Sequence, residues 1–174
     1  MKIKLITAFV FAMCAPMTTH AAMPFVGTYQ TIDDETNSPK SIVALYEYEN
    51  GTALAGRIVA LYGADGTIIE TIVSPVKTAE KVSGKPKYSG LDIIWDMAWN
   101  AKDNEYRGGK IMDPANGKVY SSVIWQDADK TKLRVRGKIG PFGRTQTWNV
   151  LNANDLPAQL QNLNTDDWTP VVHK

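Results

Sequence analysis

The chain has 174 residues, 44% apolar and 21% charged, with 19 basic against 18 acidic side chains, which is the make-up of one ordinary globular domain. A formal charge of +1 argues against a nucleic-acid partner, and one cysteine with two histidines excludes a disulfide framework and a typical zinc or copper site.

Lys2 and Lys4 precede an 11-residue apolar run over 5–15, and a short polar stretch then ends at Ala21. This is the pattern of a signal peptide over 1–21, with Thr19 and Ala21 small enough for the −3 and −1 positions and cleavage before Ala22. The run is shorter than the about 20 residues of a membrane span. Met13 stands where lipoprotein processing at Cys14 wants a small residue. Cleavage would leave 17 basic against 18 acidic side chains, no thiol and one histidine, His173. The expected address is periplasmic or secreted, with no stable membrane insertion.

From 22 to 151 the chain reads as one β domain. Strands are expected over 26–32, 41–48 and 52–61, the last two flanking Asn50-Gly51, a hairpin signal because both residues tolerate positive φ. Gly63-Ala64-Asp65-Gly66 marks a turn before a β-branched run over 67–73. The segment 74–90 loses period-2 patterning and holds Pro75, Gly84, Pro86, Gly90 and four lysines, so it reads as a long loop of the kind that often forms lids or binding loops. Strands resume over 91–99 and 105–112. Asp113-Pro114-Ala115-Asn116-Gly117 is a strong turn, followed by strands over 118–125, 132–139 and 144–150. Alternation is cleanest where Leu133, Val135, Gly137 and Ile139 oppose Lys132, Arg134, Arg136 and Lys138. Consecutive hairpins favour an antiparallel meander closing on itself. The extension 152–174 carries Leu156, Leu160 and Leu163 at helical spacing, predicting a short C-terminal helix on the barrel surface or across one end; 166–170 reads as loosely ordered.

Phe25-Val26-Gly27-Thr28-Tyr29, then Gly109-Lys110-Ile111-Met112-Asp113-Pro114 with Asn116-Gly117-Lys118-Val119-Tyr120, then Leu133-Arg134-Val135-Arg136-Gly137 with Gly143-Arg144-Thr145-Gln146-Thr147-Trp148, occur in that order. Together they resemble an exported bacterial family, domain of unknown function family 2147. The resemblance implies an all-β, lipocalin-like (calycin-type) up-and-down barrel of about 8–10 strands, and no assigned activity. Tyr29 stands where members usually carry Trp, Met112 stands where Tyr is common, and the tail is longer than typical. Lipocalins pack a first-strand Gly-x-Trp against an Arg near the end of the last strand. The matching Gly27-x-Tyr29 and Arg144 imply a cation–π stack closing one end.

The mature chain lacks the Cys–His or Ser–His–Asp constellations of nucleophilic catalysis and any Gly-rich phosphate loop, and the expectation is a non-enzyme without cofactor or metal. Asp33-Asp34-Glu35 reads as a solvated turn rather than a calcium loop, and Asp92 and Asp96 as barrel-rim acids rather than a glycosidase-type pair. Trp95, Trp99, Trp125 and Trp148 either line a cavity or simply fill the barrel. The basic stripe either turns arginines inward to hold a headgroup or coats a soluble exterior, outward being the default. Two functions remain open. One is a binder of a small lipophilic or amphipathic ligand, with Arg136, Arg144, Trp95, Trp148 and Tyr29 as candidate ligand-binding residues. The other is a filled barrel meeting an envelope protein partner.

Overall fold

The computed structural model describes residues 23–173; the expected signal peptide lies outside them. Nine strands follow in order: β1 (Gly27–Ile32), β2 (Pro39–Tyr48), β3 (Ala53–Tyr62), β4 (Ile68–Thr71), β5 (Asp92–Asn100), β6 (Glu105–Asp113), β7 (Lys118–Gln126), β8 (Lys132–Ile139) and β9 (Phe142–Leu151). All pair antiparallel, and β9 returns to β1, so eight strands close into a barrel. Apart from β4 and the long segment that follows it, short turns make each sequence neighbour a spatial neighbour, as the meander reading expected. The ninth, β4, pairs only with the far end of β3 (Ala60↔Thr71), beyond the stretch Leu54 to Arg57 that pairs with β5.

The barrel has one filled end and one hollow end. At the filled end the chain before β1 folds underneath as a plug. Phe25 meets Trp99 and Tyr106 edge-on at 5.5 and 5.7 Å, Tyr106 donates its hydroxyl to the Pro24 carbonyl at 2.9 Å, and Tyr29 donates to the Phe25 carbonyl at 2.8 Å. Burial pushes the Tyr29 phenol up to about 12.

A second apolar layer lies outside the barrel. Val59 is an extra residue in β3, since Ile42 faces Ala60 while Val43 faces Ile58. The bulge puts Val59 and Ala60 in one outer cluster with Ile42 and Ala44. Leu156 and Leu160 of the tail cover this patch, as the leucine spacing suggested. The predicted helix is absent: the segment makes only two single 3-10 turns, Ala153–Asp155 and Ala158–Leu160. Pro157 has no N–H to continue the hydrogen-bonding of the first turn, and so short a segment gains little helical cooperativity against a wall that already accepts the leucines.

The stretch beyond 165 is likewise strapped down rather than loose. Trp168 meets Tyr46 edge-on at 5.1 Å and lies under the Arg57 guanidinium at 4.4 Å. Arg57 also donates to the Thr169 carbonyl at 3.1 Å, and the Val171 N–H donates to Asp92 at 2.8 Å.

The long segment 74–90 forms part of the wall. Its Ala79 and Val82 join the inner core, Tyr88 donates to the Pro114 carbonyl at 3.3 Å, and its backbone packs against the turn after β6. A Cβ on Gly117, which sits at φ +71°, would stand 2.2 Å from the Lys81 carbonyl oxygen, so glycine is required there both by the turn and by this close approach. Both ends of the segment are tied to Glu70, which is 4% exposed and accepts the N–H groups of Val76 (3.1 Å), Lys77 (2.5 Å) and Ser89 (3.3 Å) and the Ser89 hydroxyl (2.8 Å).

Burial alone would raise the Glu70 pKa, but these donors outweigh it and the net shift is downward. The folded pKa lies below the unfolded one. The stability it contributes is therefore complete above the ordinary glutamate value of 4.5 and lost as pH falls through the lowered folded value. Hydrogen-exchange protection factors at Val76, Lys77 and Ser89 should fall over that acid window in the wild type, and Glu70→Gln should flatten the dependence. An unchanged profile in the Glu70→Gln protein would refute the tie.

Candidate functional site

The hollow end of the barrel encloses a cavity of about 720 Å³, open at the loops joining β1 to β2, β6 to β7 and β8 to β9. This lies in the size range of pockets that hold small ligands. Period-2 alternation supplies its apolar wall from several strands: Ile58 and Leu61 of β3, Ile93 of β5, Met112 of β6, Val135 of β8 and Trp148 of β9. Trp148 is 1% exposed, and its indole Nε1 donates to Gln146 Oε1 at 3.2 Å.

Several polar groups in the wall are already paired with one another. The Thr31 and Ser41 hydroxyls lie 2.7 Å apart, and the Ser41 N–H donates to Thr31 Oγ1 at 3.0 Å. Asp113 turns into its own turn, accepting from the Ala115 N–H at 2.9 Å and the Asn116 side chain at 2.7 Å.

Charge concentrates among the exposed residues of the mouth, where Lys40, Lys77 and Arg144 line the opening. Lys40 reaches Asp33 at 3.1 Å and Arg144 Nε reaches Asp34 Oδ2 at 2.7 Å, both acids belonging to the β1–β2 loop. The expected solvated turn over Asp33-Asp34-Glu35 is found. The Thr36 N–H, the Lys40 ammonium and the Glu35 N–H together hold Asp33 down at about 2. Lys77 makes no ion pair among the described residues, whereas Lys87 is spent on the Val76 carbonyl and Thr78 hydroxyl. Phe142 and Ile139, at the tip of the β8–β9 hairpin, are 78% and 65% exposed and extend the apolar wall past the rim.

Of the five residues selected from sequence, Trp148 and Arg144 line this cavity. Trp95 is buried in the core without lining it, and Tyr29 belongs to the filled end. Arg136 alternates outward with Arg134 and edges a shallow groove on the barrel's outside, beside Trp125. The cation–π closure between Tyr29 and Arg144 is not formed. Tyr29 pairs with Val150 across the sheet, and Arg144 sits six residues along β9, roughly 20 Å away at strand spacing. The end of the barrel is closed by the Phe25 plug instead.

Asp92 and Asp96 face outward as a pair, yet Asp92 is no rim acid: it is buried beneath the tail with Arg57, and Asp96 accepts the Tyr48 hydroxyl at 2.7 Å. Sequence reasoning missed Lys40 and treated Lys77 only as one lysine in a loop. The available signal was their position on the two segments that flank the opening. Among the described residues no three His, Cys, Asp or Glu side chains gather as a metal cluster, and no helix is long and apolar enough to cross a membrane.

A family model described as "Uncharacterized protein conserved in bacteria (DUF2147)" matches residues 27–150. Among solved structures, the chain is similar to a protein of the human pathogen Helicobacter pylori described as belonging to the lipocalin family. The TM-score is 0.58 at 21% identity, covering 79% of this chain and 86% of that one. No curated protein matches the sequence.

Proposed function

Because this chain belongs to the bacterial family DUF2147 and folds as a lipocalin-like barrel, we propose that it is an exported, non-catalytic carrier that holds a small apolar or amphipathic molecule in its open end. The observation carrying this reading is the hollow of about 720 Å³ with a mainly apolar wall, in which the Thr31 and Ser41 hydroxyls and the Trp148 indole are hydrogen-bonded internally. Such a lining offers an apolar chain release from water without demanding a hydrogen-bond partner from it. Export is inferred from the pattern over 1–21, and the absence of chemistry from the residue inventory. His173, the single histidine of the mature chain, touches the Ser83 carbonyl at 3.1 Å, on the loop. A filled interaction module fits less well, because side chains fill only one end of the barrel.

Titration with the uncharged fluorescent probe N-phenyl-1-naphthylamine should show saturable binding at one site, with energy transfer from tryptophan. Replacing Val135, which lines the cavity, by the bulkier Phe should reduce binding by at least several-fold. Absence of saturable binding, together with native mass spectra free of co-purified lipid, would overturn the carrier reading.

A further inference from the structure

The mouth also bears on the chemical class of the ligand, an inference that rests on the carrier reading above. The charged side chains lining the cavity are Lys40, Lys77, Arg144 and Asp113. Asp113 keeps its charge, but both carboxylate oxygens are turned into its own turn, accepting from the Ala115 N–H and the Asn116 side chain. Lys40 is matched by Asp33. Arg144 engages Asp34 through Nε, leaving its two terminal nitrogens without a hydrogen-bond partner among the described residues, and Lys77 has no ion pair there. Cationic donors with unused hydrogen-bonding capacity, the Lys77 ammonium and the terminal nitrogens of Arg144, therefore stand exposed at the opening. The wall beneath it is mainly apolar down to Trp148, with the Thr31 and Ser41 hydroxyls bonded to each other, and the exposed Phe142 next to Arg144 carries the apolar wall outward to the same level.

We propose that the barrel takes a single-chain anionic amphiphile, with its carboxylate or phosphate head at the mouth between Lys77 and Arg144 and its acyl chain running inward toward Trp148. Guanidinium and ammonium donors favour such heads through charge-assisted hydrogen bonds. The Arg144–Asp34 pair is half exposed and solvent-screened, so an incoming anion can share or displace Asp34 at small cost. A fatty acid and a lysophosphatidate both offer this chemistry.

The test uses full-length protein and four probes of equal chain length below their micelle concentrations: myristate, myristoyl lysophosphatidate, tetradecanol and tetradecyltrimethylammonium. Binding is read by displacement of the neutral fluorescent probe. At least one of the two anions should bind about ten-fold or more tightly than tetradecanol, the scale of one charge-assisted contact, and the one that does identifies the head. The cation should bind worst. Lys77→Gln combined with Arg144→Gln, both at exposed positions, should erase the anion preference, read as the ratio of each anion's affinity to that of tetradecanol in the same variant. Equal affinity for both anions and tetradecanol, or a preference that survives the double substitution, would overturn the anionic assignment and leave the carrier reading standing. Failure of all four probes, tetradecanol included, would bring down both.

Discussion

Asp92→Ala is expected to destabilise the fold by about 3–5 kcal/mol, as in other proteins where one partner of a buried ion pair is removed. The Asp92 side chain is fully buried and that of Arg57 is 14% exposed. The carboxylate accepts from Arg57 Nε at 2.9 Å and Nη2 at 2.8 Å, from the Tyr46 hydroxyl at 2.7 Å, and from the Val171 N–H at 2.8 Å. Truncation leaves the guanidinium without a counter-charge between the Tyr46 and Trp168 rings, and it releases the end of the tail. Burial and Asp92 both act on the Tyr46 phenol, whose pKa is raised, and that upward pressure should relax in the variant. Urea denaturation measures the loss. The double variant Asp92→Leu with Arg57→Met should recover most of it, since an apolar pair demands no compensation. A single variant within about 1 kcal/mol of wild type would show that the network is not what holds the tail.

Trp148→Ala should likewise cost about 3–5 kcal/mol, the range for a buried large aromatic residue truncated to alanine. Its ring is 1% exposed and forms part of the boundary between packed core and open cavity, so little can collapse into the space it vacates. For a domain of this size that loss corresponds to a fall in Tm on the order of 10 °C. The vacated volume adds to the cavity, so a longer or bulkier chain should gain affinity in the variant relative to a short one. Trp148→Phe should lose less stability yet remove much of the energy transfer to a bound probe. A Tm unchanged in Trp148→Ala would place the ring outside the core.

Much of the wall was legible before any coordinates. The eight barrel strands fall close to their expected bounds because alternation of apolar and polar residues reports a sheet with one face inward, and Asn50, Gly51 and Gly117 take the positive φ that their turns require. The outward course of Arg134 and Arg136 follows from the same alternation: Leu133 and Val135 claim the interior. The C-terminal segment departs from its predicted helix because local spacing there competes with a surface. Leu156, Leu160 and Leu163 at helical intervals satisfy a helix and an extended strap equally well, and the bulge at Val59 decides which outer patch receives them.

By itself the sequence determined the antiparallel meander, its turns and the presence of apolar positions enough for a barrel, since these depend on periodicity within a few residues. Only the tertiary structure decided which end is filled, which tryptophan faces the hollow, and that Lys40, Lys77 and Arg144 share one mouth. Those facts depend on how far each strand runs before it meets a partner from elsewhere in the chain. Arg144 and Tyr29 illustrate the reason: adjacent strands carry both, but register sets them at opposite ends, and register is a property of the closed sheet rather than of either segment.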